Sequence, residues 1–330
     1  MKVLCYGVRD VELPFFEKLN ESFGFELKCI PELLNDETVH AADGCETVML
    51  RGNCPADRKN LEIYKNYGVK YVLTRTVGYN HIDLDAAKEL GLKVAYVPFY
   101  SPNAIGELAL TLAMMLVRHT AYTVARTHEG NFIADNFMFS PEIRNSTVGI
   151  VGLGKIGLTT AKLFKGLGAR VLSYDAFPKE GVDDIVEQVS FEQLIAESDV
   201  ISLHCPYSAA TGTVITADVI SKMKKGAILV NTARGELHDV KAVIAALESG
   251  QLAGFGADVL EGEASFFYKD LQNSEIENAD LKKLMDLYPR VLITPHIGSY
   301  TDEAVTNMVE TSYENLQEFI ETGSSKNQLA

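Results

Sequence analysis

Apolar and polar positions along this chain come in blocks rather than in strict alternation. Short β-branched runs, apolar nearly throughout, are separated by stretches with helical spacing. In the first third, KVLCYGV, FELKCI, TVMLRG, KYVLTR and KVAYVP are expected as strands, and VELPFFEKLNESF, ADRKNLEIYKNYG and HIDLDAAKELG as helices. The rhythm repeats in TVGIVGLG, RVLSYD, DVISLHCP, AILVNTARG, GFGADVLE and RVLITPHIG. Runs without a polar face, joined through helices, predict parallel sheets covered on both sides. Two such series predict an α/β protein made of two doubly wound, parallel-sheet, Rossmann-like domains. A boundary is expected at Ser101–Pro102, where serine suits an N-cap and proline a first helical turn. The next segment, NAIGELALTLAMMLVRHTAYTVARTHEGN, is expected as a long helix, apolar over much of its circumference. It either fills a core or links the domains and packs against a second subunit. A last helix, TDEAVTNMVETSYENLQEFIETG, follows the second series and is expected to return to the first domain.

Composition narrows the class. A chain of 330 residues suits two domains at roughly 150 residues each. Thirty Lys and Arg against forty-five Asp and Glu leave a net charge of −15, which disfavours DNA or RNA as a partner. The start, MKVLCYGVRD, lacks the apolar core and cleavage site of a secretory signal. The most apolar stretch, IGELALTLAMMLV, is interrupted by Glu107 and is too short to cross a bilayer. Five scattered cysteines without a CxxC pair (Cys5, Cys29, Cys45, Cys54, Cys205) fit free thiols in a reducing cytosol better than disulfides or zinc ligands. The expectation is a cytoplasmic globular protein with no metal, membrane or nucleic-acid partner.

Candidate chemistry begins at Gly152-Leu-Gly154-Lys155-Ile156-Gly157, directly after the strand STVGIV and opening a helix. A lone GxGxxG is weak evidence, but here strand, turn and helix are all in place. Asp175 closes the next strand 18 positions after Gly157, near the spacing of a dinucleotide fingerprint. The glycines permit a tight turn and let a pyrophosphate meet the helix N-terminus. Asp175 would accept from ribose hydroxyls and repel a 2′-phosphate, favouring NAD over NADP. A methyltransferase also uses a glycine turn with a distal acid, so this motif alone leaves the chemistry open. Arg234 in NTARGE, Glu263 in DVLEGE and His296 in TPHIGS each follow a separate strand, and ligands of open parallel sheets bind beyond such ends. Reduction of a 2-oxo acid needs these three groups. An arginine fork binds the carboxylate, a histidine donates a proton to the carbonyl oxygen, and a carboxylate orients the imidazole and favours its charged form.

With these motifs in hand, the sequence resembles the NAD-dependent D-2-hydroxyacid dehydrogenases, in particular their D-lactate dehydrogenase branch. RTVGYNHID, VPFYSPNAIGELA, VGIVGLGKIG, LHCP, LVNTARGEL, GADVLEGE and TPHIG carry the likeness over essentially the whole length. The resemblance implies a homodimer with a flavodoxin-like, discontinuous substrate domain, residues 1–100 plus 300–330, and an NAD-binding domain, residues 101–299, with the active site in the cleft between them. It puts the catalytic groups on Arg234, Glu263 and His296, and the substrate-carboxylate amides on Val77–Gly78. Tyr100 is then near the pocket and Asp258 faces the nicotinamide carboxamide. The stretch His204, Cys205 and Pro206, with Thr232 and Ala233, lines the cofactor. One departure from the wider family is Ala264-Ser-Phe-Phe after the glutamate, where many members are acidic and proline-rich.

Three strands of the first series end in arginines: Arg9, Arg51 and Arg75. Arg75 is read as structural, and the role of Arg9 stays open beside a substrate-binding one. By the resemblance Arg51 meets the substrate's side chain. An arginine suits an apolar side chain poorly and a second carboxylate well. The expected substrate pair is therefore 2-oxoglutarate and (R)-2-hydroxyglutarate. Alternatives are a D-lactate or D-2-hydroxyisocaproate dehydrogenase and, more remotely, a nonenzymatic NADH-sensing protein like a corepressor.

Overall fold

The computed structural model describes residues 1–208 and 210–330, and the chain divides into two compact units. The first comprises Met1–Ser101 and Tyr300–Ala330, the second Pro102–Ser299. The first unit contains β1 (Lys2–Cys5), α1 (Leu13–Asn20), β2 (Glu26–Cys29), β3 (Thr47–Leu50), α2 (Arg58–Asn66), β4 (Tyr71–Thr74), α3 (Leu84–Glu89) and β5 (Lys93–Ala95). The second opens with α4 (Pro102–Val117) and α5 (Thr120–His128), then β6 (Thr147–Val151), α6 (Lys155–Gly166), β7 (Arg170–Tyr174), β8 (Glu187–Gln188), α7 (Phe191–Glu197) and β9 (Val200–Leu203). It continues through α8 (Ala217–Ser221), β10 (Ala227–Asn231), α9 (Val240–Ser249), β11 (Leu252–Ala257), α10 (Ala279–Asp286) and β12 (Val291–Ile293). Helix α11 (Asp302–Thr322) then belongs to the first unit.

Both sheets are parallel, as the apolar runs predict. The first has the order β2-β1-β3-β4-β5, the flavodoxin-like winding. The second runs β12-β11-β10-β9-β6-β7-β8, a doubly wound sheet whose strand order reverses between β6 and β9. The helices between strands start on residues that satisfy free backbone amides: the side chains of Asp57, Asp83, Ser190, Asp239 and Asn278 accept from the first turn of α2, α3, α7, α9 and α10. In the first unit α11 returns over α1, and the Tyr313 hydroxyl donates to the Phe16 carbonyl at 3.3 Å. The rings of Phe16, Phe23 and Phe25 surround Tyr313. Beyond α11 the chain reaches the edge of the sheet, where Val94 donates to the Ala330 carbonyl at 3.0 Å and Leu329 to the Val94 carbonyl at 2.8 Å.

The long apolar helix expected after Pro102 is two helices. His119 takes the left-handed conformation (φ 49°), and α4 and α5 meet at a 68° bend. Burial explains the division. Helix α4 buries eight residues, Ala104 to Val117, against α6 and the β10–β11 region, whereas α5 buries none. Among the described residues no single helix is long and apolar enough to cross a membrane.

Candidate active site

Strand β6 delivers the chain to Gly152, whose φ of 92° turns it sharply. A methyl there would lie 2.5 Å from the Cys205 nitrogen, and one on Gly157 would lie 1.9 Å from the Gly152 oxygen. Both positions are glycine because backbone touches backbone. Gly154 differs, since a Cβ there meets nothing within 4 Å. It is the N-cap of α6 and supplies no side-chain cap, so the amides that begin at Lys155 and Ile156 point toward an open face. A helix N-terminus of this kind suits a pyrophosphate. Asp175, just past β7, accepts from the Leu153 amide at 2.6 Å and the Phe177 amide at 2.8 Å, and so braces the turn. A carboxylate retains lone pairs for ribose hydroxyls beyond these two bonds.

The neighbouring strand ends complete this side. His204 lies 2.9 Å from the Ser202 hydroxyl, and burial pushes its imidazole down to about 3, leaving it neutral. Burial also raises the Cys205 thiol, which stays protonated, while Pro206 is exposed. Thr232 is 8% exposed, and its hydroxyl is buried without a hydrogen-bond partner. A helix N-terminus without a side-chain cap and an orphaned threonine hydroxyl, both at carboxyl ends of the sheet, are features that a dinucleotide would satisfy.

Arg234 is presented by a turn that the sequence did not announce. Asn231, fully buried at the end of β10, donates from Nδ2 to the Arg234 carbonyl at 2.8 Å and accepts the Ala233 amide at 3.0 Å. The same Nδ2 lies 2.9 Å from Nδ1 of His238, which burial pushes down to about 4 and keeps neutral. The half-buried Arg234 side chain donates to the Ala233 carbonyl at 2.7 Å. At Gly235 a Cβ would come within 2.2 Å of both Leu260 C and Glu261 N. That contact locks the arginine turn against the loop carrying Glu263. An asparagine closing an otherwise apolar strand is the one signal that pointed to this support.

The histidine and glutamate meet directly. His296 Nδ1 lies 2.5 Å from Glu263 Oε1, and Glu263 Oε2 accepts from the Leu260 amide at 3.0 Å. With Nδ1 engaged, Nε2 is the atom left to exchange a proton with a ligand. His296 has φ 51°, a left-handed backbone that costs on the order of 1–3 kcal/mol in a residue other than glycine. Asp258 holds the turn in that shape. Its Oδ1 accepts from the Thr294 hydroxyl at 2.6 Å and the Ile297 amide at 2.9 Å, and its Oδ2 from the Gly298 amide at 2.8 Å. Burial raises the carboxyl and these bonds oppose that shift. At 1% exposure, Asp258 is the foundation of the histidine turn.

In the first unit Arg51 follows β3. Its stem crosses the end of β1, where a Cβ on Gly7 would lie 2.7 Å from Arg51 Cδ, and Nη1 is 3.4 Å from the Gly7 carbonyl. The Arg9 guanidinium sits 4.1 Å above the Tyr300 ring, and its Nη1 is buried without a hydrogen-bond partner. Arg75 does not join them. It is 2% exposed, 3.6 Å from the buried Glu12, donates to the Tyr6 carbonyl at 2.9 Å and lies 4.9 Å over Phe16. Glu12 also accepts the Arg9 amide at 2.9 Å, so this interior pair shapes the β1–α1 loop. Val77 is exposed, and the Gly78 carbonyl accepts from the Thr76 hydroxyl at 2.7 Å. A chain of bonds from Thr76 through Thr74 to the neutral, half-buried His81 stiffens that turn. The Tyr100 carbonyl accepts from Asn307 at 2.7 Å.

Comparison with known proteins follows the same lines. The NAD binding domain of D-isomer specific 2-hydroxyacid dehydrogenases matches residues 110–298. The aromatic 2-oxoacid reductase of Clostridium sporogenes is 40% identical over 329 residues, 99% of each chain. The D-lactate dehydrogenase of Escherichia coli (strain K12) is 37% identical over 330 residues, 100% of each. Among solved structures, the NAD-complexed D-isomer specific 2-hydroxyacid dehydrogenase of Lactobacillus delbrueckii ssp. bulgaricus superposes with a TM-score of 0.84 at 35% identity, covering 100% of both chains. A glycine turn built for a dinucleotide, a paired His296 and Glu263, and full-length likeness to these enzymes lead to one conclusion: the chain belongs to the D-isomer specific 2-hydroxyacid dehydrogenase family and is an NAD-dependent D-2-hydroxyacid dehydrogenase.

Proposed function

We propose that this enzyme interconverts 2-oxoglutarate and (R)-2-hydroxyglutarate. The observation that carries the reading is Arg51, a half-buried guanidinium beyond a strand end, its stem fixed over Gly7. A side chain so placed suits a second carboxylate and is a poor neighbour for an apolar group. Arg9, with its buried and unsatisfied Nη1, adds a second cation at the adjoining strand end. The net charge of −15 is no obstacle, because such local cations override a global field at short range.

In this reading Gly154, Lys155, Ile156 and Gly157 hold the pyrophosphate, and Asp175 the adenosine ribose. His204, Cys205 and Pro206 flank the adenosine, and Thr232, Ala233 and Asp258 lie toward the nicotinamide. When bound, the nicotinamide supplies or accepts the hydride at the substrate's C2. Arg234 forks onto the C1 carboxylate and polarises the carbonyl, and the Val77–Gly78 amides hold the same carboxylate. His296 donates a proton from Nε2 to the carbonyl oxygen in reduction and removes it in oxidation. Glu263 fixes the ring through Nδ1 and balances the charge it carries when protonated. Tyr100 closes the pocket.

Relatives that are D-lactate and D-2-hydroxyisocaproate dehydrogenases favour a second reading, a monocarboxylate enzyme acting on one of those substrates. Steady-state kinetics over a panel of 2-oxo acids decides between them. We expect kcat/KM for 2-oxoglutarate to exceed that for pyruvate and 2-oxoisocaproate by at least about 30-fold, the smaller value for a desolvated charge pair. Comparable values across the panel would leave the dicarboxylate reading without support.

We also propose a homodimer through the α4–α5 face. Leu110, Met114, Met115 and Val124 line a shallow apolar groove there, and Phe132, Ile133 and Phe139 are 79%, 71% and 88% exposed. A surface of that character is best covered by a second copy of the chain. Light scattering should give twice the 36.2 kDa chain mass, and Val124→Asp should shift the protein toward the monomer. A wild-type protein that is monomeric at micromolar concentration would overturn this.

A further inference from the structure

Among the described residues three non-glycine positions have positive φ, and two of them are bonded to each other. Tyr268 (φ 63°) donates its hydroxyl to the main-chain carbonyl of His296 (φ 51°) at 2.9 Å. We propose that Tyr268 is a positioning residue for the catalytic imidazole. This inference rests on the assignment of His296 as the proton donor.

The loop after β11 thereby grips one residue at two points. Glu263 holds the imidazole through Nδ1 at 2.5 Å, and Tyr268, five positions later, holds the backbone from which the ring hangs. The segment between them is anchored. Phe266 and Phe267 are each 7% exposed, and their amides donate to the Glu263 carbonyl at 3.0 and 2.7 Å. Tyr268 itself is 41% exposed, and its ring lies edge-on to Phe267. Its left-handed backbone is a conformation that a tyrosine adopts only when the surroundings demand it. On the other side, the His296 amide donates to the Asp258 and Thr294 carbonyls. Among the described residues, the carboxylates of Glu263 and Asp258 act on His296. Without the phenol, the His296 carbonyl loses its donor and the turn can relax from its left-handed shape. Nε2 then swings away from the position that Glu263 alone cannot fix.

The test compares Tyr268→Phe and Tyr268→Gly with the wild type. The first removes one hydroxyl, and the second also relieves the backbone. Both should lower kcat for 2-oxo acid reduction about tenfold, in line with small misplacements of a catalytic group. NADH affinity and Tm of the Phe variant should stay as in the wild type. The loss should fall on kcat, with KM for the 2-oxo acid close to the wild-type value, because substrate binding is untouched while the proton donor is misplaced. Wild-type kcat in Tyr268→Phe would overturn the inference, as would a loss confined to KM or to NADH binding. Replacement of His296 distinguishes the levels. If that enzyme is inactive while Tyr268→Phe is normal, only the positioning role fails. If it still turns over, the underlying assignment fails as well.

Discussion

Alanine at His296 lowers kcat/KM for reduction by about 10³-fold or more, while NADH binds as it does to the wild type. A positioned general acid contributes roughly 10²–10⁴-fold, so this corresponds to about 4 kcal/mol of transition-state stabilisation. The ring is the only part of His296 that the mutation removes, and Glu263 keeps its bond from the Leu260 amide. The backbone matters too, since φ at this position is 51° and alanine resists that conformation. Asparagine tolerates it better. His296→Asn is therefore the cleaner variant, with equal loss of turnover and a Tm nearer the wild type. Stopped-flow or steady-state NADH oxidation with a parallel NADH titration checks both, and turnover near the wild-type rate in either would remove His296 from the mechanism.

Leucine at Arg51 has the second large effect, and it falls on specificity. Losing a desolvated partner for the distal carboxylate costs roughly 2–5 kcal/mol of discrimination, about 30-fold to several thousandfold in the ratio of kcat/KM for 2-oxoglutarate over 2-oxoisocaproate. The loss should appear in both KM and kcat for the dicarboxylate, because a substrate held at one end only is also poorly aligned. Arg51→Lys keeps the charge without the fork and should recover part of the ratio. The stem of Arg51 also fills the space above Gly7, so a modest loss of stability is expected in the leucine variant. An unchanged substrate ratio in Arg51→Leu would mean that this arginine does not read the substrate.

Much of this architecture was legible in the sequence because its determinants are local. An apolar run, a glycine turn and a helix start lie within twenty residues of each other around Gly152, and the acid at Asp175 comes one strand later. The two parallel sheets follow from strands with no polar face. What escaped the sequence depends on partners far apart. Arg75 is read as structural from the sequence, but its partners, Glu12 and the Tyr6 carbonyl more than sixty positions earlier, are visible only in the fold. The break at His119 has neither glycine nor proline to mark it and reflects where burial against α6 ends. Asn231, Asp258 and Tyr268 work by holding the backbone of other residues, and a main-chain partner has no residue type to betray it. The family likeness implies a cofactor role for Asp258, but the hold it has on the histidine turn through three donors was not legible in the sequence.

The return of the chain to its first unit has a consequence for synthesis. Strands β1 to β5 leave the ribosome before the second unit, but α11 and the residues that pair with Val94 follow all of it. The second unit has all of its strands in hand before that point. It can condense while the first unit still waits with one face of its sheet uncovered, exposing the positions that Phe16 and Tyr313 later share. For this enzyme the first unit is therefore the slower to mature, and the nascent chain is most vulnerable to aggregation until α11 has been made.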